Sequence, residues 1–335
     1  MPVASPTPLP YPCATAARSR NRNLTPKFLD VSFPASTDAD RIGMHLSTNA
    51  TTGTQTRPSR LTRYVRRLRR RLRTATNWAT QPLYAVYEKR LANQVSRRPP
   101  PRHIGIILDG NRRYAQREGL EHAHEAYRLG AQKLDEVLQW CVELGVPAIT
   151  LWVFSSDNFG RSAEQVHGIL DAVQGKMRML AVHPYIHKHR VRVRAIGCIE
   201  MLPAAARDAI RLAEEATADY DSMLLSIAVA YGGREEIADA VRSMLAAALD
   251  EGKTLPETIG AVSPDAIAKH LYLAGAPEPD LIIRTSGEVR LSGFLLWQSA
   301  VSEFYFSDVL WPAFRRIDFL RAIRSFQERT RRFGL

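Results

Sequence analysis

Short apolar runs alternate with longer amphipathic segments from His103 towards the end of the chain. Most of these runs have the length and apolarity of strands that are buried on both faces. They read HIGIIL, PAITLWVF, VRVRAIG, MLLSIAVAYG and DLIIRTSG. The segments between them predict helices over residues 125–144, 163–179, 204–217, 235–249 and 264–273. This alternation predicts an α/β fold, with a central, mainly parallel sheet flanked by helices on both faces.

The basic residues are concentrated in the first 100 residues. That stretch holds 18 Lys and Arg against four Asp and Glu, whereas residues 101–335 hold 28 against 30. The net charge of +12 is therefore a property of the N-terminal arm. No zinc-finger, basic-zipper or RNA-recognition signature accompanies the arginines, so we expect no nucleic-acid partner.

The composition divides the chain into three segments. Residues 1–60 are rich in Pro, Ser, Thr, Ala and Asn and are predicted to be disordered. An organellar transit peptide or a true start at Met44 are alternative explanations of this stretch. Residues 61–79 begin with LTRYVRRLRRRLR and predict a basic amphipathic segment, which either rests on an anionic membrane or is a solvated linker. Residues 80–335 form the predicted main domain.

No apolar run reaches the ~20 residues that a membrane-spanning helix requires. We therefore expect a cytoplasmic protein whose membrane contact, if it has one, is peripheral and made by the basic segment.

Four predicted strand ends carry polar residues and arginine. Ligands of open α/β sheets gather at the carboxyl ends of the strands, so these ends predict a binding site. Because guanidinium pairs bidentately with phosphate, the recurring arginines favour a substrate with several phosphate oxygens. Taken singly, each signal could be a helix cap, an ion pair or a plain turn. The four ends are residues 109–113, 155–161, 231–236 and 284–292.

Two distant carboxylates, Asp109 and Glu303, could supply the oxygen ligands that Mg²⁺ prefers beside phosphates. The sequence has no GxxxxGK[ST] and no GxGxxG, which argues against nucleotide hydrolysis and dinucleotide redox chemistry. His183, His187 and His189 lie among basic residues, and we interpret them as a solvated loop and not as a metal site.

The motifs HIGIILDGNRRYA, FSSDNFGR, YGGREEI and DLIIRTSGEVRLSGFLLWQSAVSEFYFSDVLWPAF resemble those of the cis-prenyltransferases, the undecaprenyl diphosphate synthase-like enzymes. The resemblance spans roughly residues 80–335 and makes this segment the expected catalytic domain. It implies a Mg²⁺-dependent condensation of isopentenyl diphosphate with geranyl or farnesyl diphosphate, in an apolar substrate channel, that sets a Z double bond. DGNR, RLSGFLLWQ and PLYAVYEKRL are similar to an actinobacterial branch that includes short-chain Z,E-farnesyl diphosphate synthases.

The resemblance also implies roles for single residues. Asp109 is expected to be the essential acid and a metal ligand, Glu303 the second metal-binding acid, and Asn158 the proton acceptor or relay. The C-terminal Arg332-Phe333-Gly334 is similar to an RxG ending that reaches the active site across a dimer interface, which implies a homodimer. The residues implied in substrate binding are Gly110, Asn111, Arg112, Arg113, Tyr114, His122, Tyr127, Ser155, Ser156, Asp157, Phe159, Arg161, Arg284, Arg290, Leu291, Ser292, Arg332 and Gly334.

The sequence departs from the family pattern at Arg112, where glycine is common. Arginine would strain the loop if a positive φ were required there. Two alternatives to the main interpretation stay open: a non-catalytic prenyltransferase-like subunit, and irregular coupling of two allylic diphosphates on the same fold. The first is disfavoured because Asp109, Asn158 and Arg284 are all present. The allylic primer and the product length are not determined by the sequence.

Overall fold

The computed structural model of the protein describes residues 84–329. In this part of the chain, six strands form one sheet in which every neighbouring pair is parallel, in the order β3-β4-β2-β1-β5-β6. The central parallel sheet is therefore as predicted. The strands are β1 His103–Ile107, β2 Ala148–Trp152, β3 Val191–Ile196, β4 Met223–Ala228, β5 Leu281–Arg284 and β6 Glu303–Phe306.

The helices are α1 over residues 84–95, α2 Asn111–Glu118, α3 Ala123–Leu144, α4 Ala163–Leu180, α5 Pro184–Lys188, α6 Ala204–Ala216, α7 Gly233–Asp250, α8 Leu255–Gly260, α9 Pro264–Ala268 and α10 Arg316–Glu328. Two predictions were wrong in detail. The helix that begins at Pro264 ends at Ala268, well before residue 273. The histidine-rich stretch is the short helix α5, which begins with Pro184 at its first position and is capped by His183.

Successive strand residues belong to two different cores, as the period of a strand requires. Ile106 and Leu151 pack into the larger core together with residues of α3, α4, α6 and α10. The next residues along the same strands, Ile107 and Trp152, pack into a smaller core with Phe294. Both faces of the sheet are thus covered.

The start of β1 is held by a buried histidine. His103 is 1% exposed. Its Nδ1 lies 2.6 Å from the carbonyl oxygen of Pro277 and its Nε2 lies 2.8 Å from Thr150 Oγ1. The carbonyl can only accept, so Nδ1 carries the proton and Nε2 accepts from the Thr150 hydroxyl. Burial lowers the pKa of His103 to about 4, and the imidazole is neutral.

Glu236 in the first turn of α7 joins three segments. It is 1% exposed and accepts hydrogen bonds from Tyr231 Oη at 2.5 Å, Gln298 Nε2 at 2.9 Å and the Tyr272 amide at 3.0 Å. The Tyr231 hydroxyl also accepts from the Leu295 amide. This network fixes the loop between β5 and β6 against α7.

The registers bring the four polar strand ends to one edge of the sheet. Ile107 at the end of β1 pairs with Trp152 on one side and with Arg284 on the other, and Trp152 pairs with Ala228. The residues that follow these positions are those predicted to form the site. Within residues 84–329, none of the helices has the length and apolarity needed to cross a membrane.

Candidate active site

A cavity of about 640 Å³ opens at the carboxyl edge of the sheet. Its inner part is lined by apolar side chains, among them Leu134 from α3 and Ile169, Val173 and Met177 from α4. The cavity is therefore polar at its mouth and largely apolar further in. The predicted site residues that line it are Asp109, Gly110, Asn111, Arg112, Arg113, Tyr127, Ser155, Asp157, Asn158, Arg161, Arg284, Arg290 and Ser292.

Asp109 follows β1 and is fixed by two hydrogen bonds. Its Oδ2 accepts from Arg284 Nη2 at 2.8 Å and its Oδ1 accepts from the Gly110 amide at 2.7 Å. Partial burial would raise the pKa of Asp109, but the hydrogen bond and charge of Arg284, with help from Gly110 and Ser286, hold it below its ordinary value. The cavity mouth thus contains an ionised carboxylate at neutral pH.

Arg284 connects Asp109 to the loop after β5. Its side chain is 5% exposed, and its Nη1 donates to Ser292 Oγ at 2.8 Å and to the Arg290 carbonyl oxygen. Its Nε is buried without a hydrogen-bond partner among the described residues. A buried donor without a partner is costly, so this N–H has a hydrogen bond left to donate.

The turn from Asp109 into α2 requires glycine. Gly110 has φ +101° and is the N-cap of α2. A Cβ there would lie 2.8 Å from Leu310 Cδ2 and 3.0 Å from Ser286 Cβ. Arg112, in contrast, lies in the first turn of α2 and is not among the residues with positive φ. The departure at Arg112 therefore causes no backbone strain, and the positive end of the α2 dipole faces the cavity.

Two further site residues have left-handed backbone conformations that are uncommon for residues other than glycine. Ser286 has φ 81° and Ser292 has φ 53°. The Ser286 amide donates to the Val309 carbonyl at 2.8 Å, and Ser292 accepts from Arg284. Such conformations persist where the surroundings hold them, and they cluster at functional sites.

Arginines from two elements line the cavity mouth. The pKa of Arg161, which follows the 3₁₀ turn Ser156–Gly160, is lowered first by burial and then by the charge of Arg112. Two guanidinium groups whose charges repel each other favour an anion beside them. Asn158 lines the cavity from the same 3₁₀ turn.

Five residues predicted to bind substrate do not line the cavity: Tyr114, His122, Ser156, Phe159 and Leu291. His122 is exposed at the N-cap of α3 and stacks on His124 with ring centroids 5.2 Å apart. Phe159 packs edge-on against Phe154, which is itself part of the lining. These positions support the site or lie beside it.

Glu303 lies away from Asp109 within one chain. It is the first residue of β6 and pairs with Leu281 at the start of β5, so it lies at the amino edge of the sheet. Asp109 follows the opposite, carboxyl end of β1. The Glu303 carboxylate forms an ion pair with Arg329. The structure does not bring the two predicted metal ligands together, and Arg332 and Gly334 lie outside the described residues.

A divalent metal could be held at the mouth by Asp109. Within residues 84–329 there is no cluster of three His, Cys, Asp or Glu side chains that would hold a metal alone. Mg²⁺, however, commonly binds through one or two carboxylates together with substrate phosphates. An ionised Asp109 beside arginines that suit phosphate oxygens fits a metal that shares its ligands with a diphosphate.

Two charged lining residues were missed. Glu288 accepts hydrogen bonds from Arg113 Nη2 at 3.1 Å and Arg290 Nη1 at 2.6 Å, which keeps these arginines in place. Glu288 lies within the polar strand end at residues 284–292, so the sequence pattern could have indicated it as a site residue. Lys176 in α4 also lines the cavity, and no motif marks it.

Comparison with known proteins gives consistent matches. Residues 107–334 match the Prenyltransf family model, which describes undecaprenyl diphosphate synthase-like proteins. An isoprenyl transferase from Deinococcus radiodurans is 53% identical over 264 residues, covering 78% of this chain and 95% of the relative. A (2Z,6E)-farnesyl diphosphate synthase from Thermobifida fusca is 50% identical over 253 residues, covering 76% and 97%.

A solved structure has the same fold. Lavandulyl diphosphate synthase from Lavandula x intermedia, in complex with dimethylallyl diphosphate, is 33% identical with a TM-score of 0.64, covering 72% of this chain and 100% of that one.

Proposed function

The chain belongs to the undecaprenyl diphosphate synthase-like prenyltransferase family, and from that premise we propose that it condenses isopentenyl diphosphate with an allylic diphosphate to give a Z-prenyl diphosphate. The names of its relatives, isoprenyl transferase and (2Z,6E)-farnesyl diphosphate synthase, support Z-prenyl elongation. The observation that carries the proposal is the ionised Asp109, fixed by Arg284, at the polar mouth of an apolar cavity.

The arrangement suits the departure of a diphosphate. Arg112 and Arg161, with the first turn of α2, place positive charge where the allylic diphosphate leaves. Because the first turn of α2 is fixed before the reaction, its amides stabilise the developing negative charge without reorganisation, and the two arginines add positive charge beside it. The apolar lining keeps water from the allylic cation.

The second substrate is assigned to the loop after β5. Arg290 and Ser292, held by Glu288 and Arg284, are proposed to bind isopentenyl diphosphate. Its terminal alkene carbon bonds to C1 of the allylic substrate as the C1–oxygen bond to diphosphate breaks. A proton then leaves C2 of the isopentenyl unit, which forms the new double bond, and Asn158 is proposed to relay this proton to the released diphosphate.

Members of this family generally need a divalent metal, and we propose that Mg²⁺ is the metal used here. Asp109 would hold it, and the bound ion would supply neutralising charge for the diphosphate oxygens. Arg284 orients the carboxylate and keeps it ionised.

We also propose a homodimer and a peripheral membrane contact. β6 is at the edge of the sheet, and Glu303 and Arg329 lie together beside it, so a second chain docked at this edge would contact them. We expect sedimentation velocity to give a dimer; a fully active monomer would exclude this assembly.

The membrane contact is assigned to the basic segment, residues 61–79. We expect deletion of this segment to abolish pelleting with anionic vesicles, and unchanged pelleting would exclude the contact.

The test of function is incubation of the purified protein with Mg²⁺, radiolabelled isopentenyl diphosphate and either geranyl or farnesyl diphosphate. Chromatography then gives the product length and double-bond geometry. We expect incorporation into a Z-prenyl diphosphate. If neither primer yields labelled product, the chain is not a prenyl-elongating enzyme, and the non-catalytic subunit becomes the better explanation.

A second arm of this experiment omits isopentenyl diphosphate and supplies dimethylallyl diphosphate alone. The similar solved structure contains that allylic substrate, which motivates the control. Product formed only in this arm would replace elongation by irregular coupling of two allylic diphosphates.

A further inference from the structure

The inner end of the cavity contains a charged side chain. Lys176 lines the cavity and is 8% exposed, and it is the one lysine among the described residues that is buried. Lysine is rarely buried without a partner. Here the partner is Asp135 of α3, whose Oδ1 lies 2.5 Å from Lys176 Nζ.

The directions of two helices place this ion pair far from the mouth. α3 and α4 each start on the carboxyl side of the sheet and lead back to the start of the next strand. At 1.5 Å per residue, Lys176 lies about 20 Å along α4 from Ala163, and Asp135 lies about 18 Å along α3 from Ala123. The pair therefore joins the two helices at the same depth, beyond Ile169 and Val173 and next to Leu134 and Met177, all of which line the apolar part.

The two members of the pair have different exposure. The Asp135 side chain is 37% exposed and does not line the cavity, whereas the Lys176 side chain is 7% exposed and does. The lysine thus bridges from the cavity wall to a carboxylate nearer the surface. Burial lowers the pKa of Lys176, and the hydrogen bond and charge of Asp135 act in the opposite direction. Among the groups that act on Lys176, the Asp135 carboxylate is therefore the one that stabilises its charged form.

We propose that the Lys176–Asp135 ion pair closes the inner end of the cavity and limits the length of the prenyl product. This inference rests on the proposed function. Each condensation adds a five-carbon unit at the diphosphate end and pushes the apolar end of the chain deeper. Contact with apolar residues favours that movement. A chain end that reaches Lys176 must instead pack against a charged group or displace it from Asp135, and both are unfavourable.

The test compares products of wild-type protein with those of K176M, K176A and the double variant K176M/D135L. Removing one partner of a buried ion pair is destabilising, but replacing both by apolar residues is often neutral. The double variant therefore keeps the test valid if the single variants do not fold. The matched control is K133M, because Lys133 lies on α3, pairs with Glu136 at 2.8 Å and does not line the cavity.

We expect the main product of the double variant to be longer than that of the wild-type protein by at least one five-carbon unit. The product length of K133M should equal that of the wild-type protein. A second measurement, independent of turnover, is the ratio of dissociation constants for farnesyl and geranylgeranyl diphosphate. We expect the double variant to change this ratio about tenfold in favour of the longer ligand.

An unchanged product length together with an unchanged ratio overturns the role of Lys176 and leaves the proposed function standing. Absence of incorporation by wild-type protein overturns the proposed function, and the binding ratio still decides the role of Lys176.

Discussion

At the scale of residues, the site centres on one acid–arginine pair. Asp109 and Arg284 are 175 positions apart in sequence and form a hydrogen bond of 2.8 Å. Both were predicted because each lies at the polar end of an apolar strand. The positions of Tyr114 and His122 were not predictable in the same way. A motif shows which residues follow a strand, but helix phase decides which side chains turn inwards.

Replacing Asp109 by asparagine tests the charge of this pair. Asparagine keeps an oxygen that can accept from Arg284 but removes the negative charge. We expect kcat/KM for isopentenyl diphosphate incorporation to fall by roughly 10²–10³-fold, the scale found when a pre-organised electrostatic group is removed.

The matched control for Asp109 is D221N, which breaks an exposed pair with Arg190 at 3.2 Å. Activity of D109N within twofold of the wild-type protein would remove Asp109 from its assigned role.

At the scale of elements, the ends of helices and strands were harder to predict than their existence. α3, α4, α6 and α7 lie within a few residues of their predicted bounds. α5 was missed because its histidine and lysine residues suggested a solvated loop, although Pro184 is a favourable first residue of a helix. β6 was not predicted as a strand, and without it the position of Glu303 at the opposite edge could not be inferred.

The turn from β1 into α2 can be tested with G110A. Alanine would have to adopt φ +101° and would contact Leu310 and Ser286. We expect the free energy of unfolding to fall by roughly 1–3 kcal/mol and the activity to fall with it, because Asp109 accepts from the amide of this residue.

The comparison for Gly110 is G145A at the end of α3. Gly145 has φ +70°, but a Cβ at this position would have nothing within 4 Å, so we expect about 1 kcal/mol of destabilisation and normal activity. Urea unfolding and turnover measure both. Equal losses in the two variants would contradict the role of the close contacts at Gly110.

The network around Glu236 predicts the effect of two substitutions. E236L leaves three donors without their acceptor, and we expect unfolding to become easier by about 3 kcal/mol. E236Q keeps an acceptor oxygen and should cost less. Urea unfolding of both variants checks the order, and a larger loss in E236Q would contradict it.

At the scale of the whole molecule, the parallel sheet was the most predictable feature, because alternation of apolar strands and helices admits few other arrangements. The apolar cavity between the sheet, α3 and α4 could be expected only in general terms. Which side chains close it depends on how α3 and α4 pack against each other, and no sequence motif therefore marks Lys176. The same reason explains why Arg329 could not be predicted as the partner of Glu303.

His103 gives the fold a pH dependence that can be measured. Its folded pKa of about 4 lies below its ordinary value of 6.5, so in this window the unfolded chain binds a proton that the folded chain does not. Stability is therefore lost as the pH falls from 6.5 to 4. We expect this single group to contribute up to ~3 kcal/mol to the loss.

The variant H103Q isolates this contribution, since glutamine does not titrate. Urea unfolding from pH 7 to pH 4 should show the difference in stability between wild-type protein and H103Q shrinking with acidification. A constant difference would show that His103 titrates alike in both states.

The ion pair between Asp109 and Arg284 also has a consequence for folding kinetics. Asp109 follows β1 and Arg284 is the last residue of β5, and these neighbouring strands are separated in sequence by most of the domain. Closing so large a loop is entropically unfavourable, and this loss of entropy is offset only by the contacts that form when both strands have joined the sheet. The Asp109–Arg284 pair cannot form in a partly synthesised chain that lacks residues 281–284. Recovery of catalysis during refolding should therefore follow the last, long-range step and lag behind the recovery of helical signal.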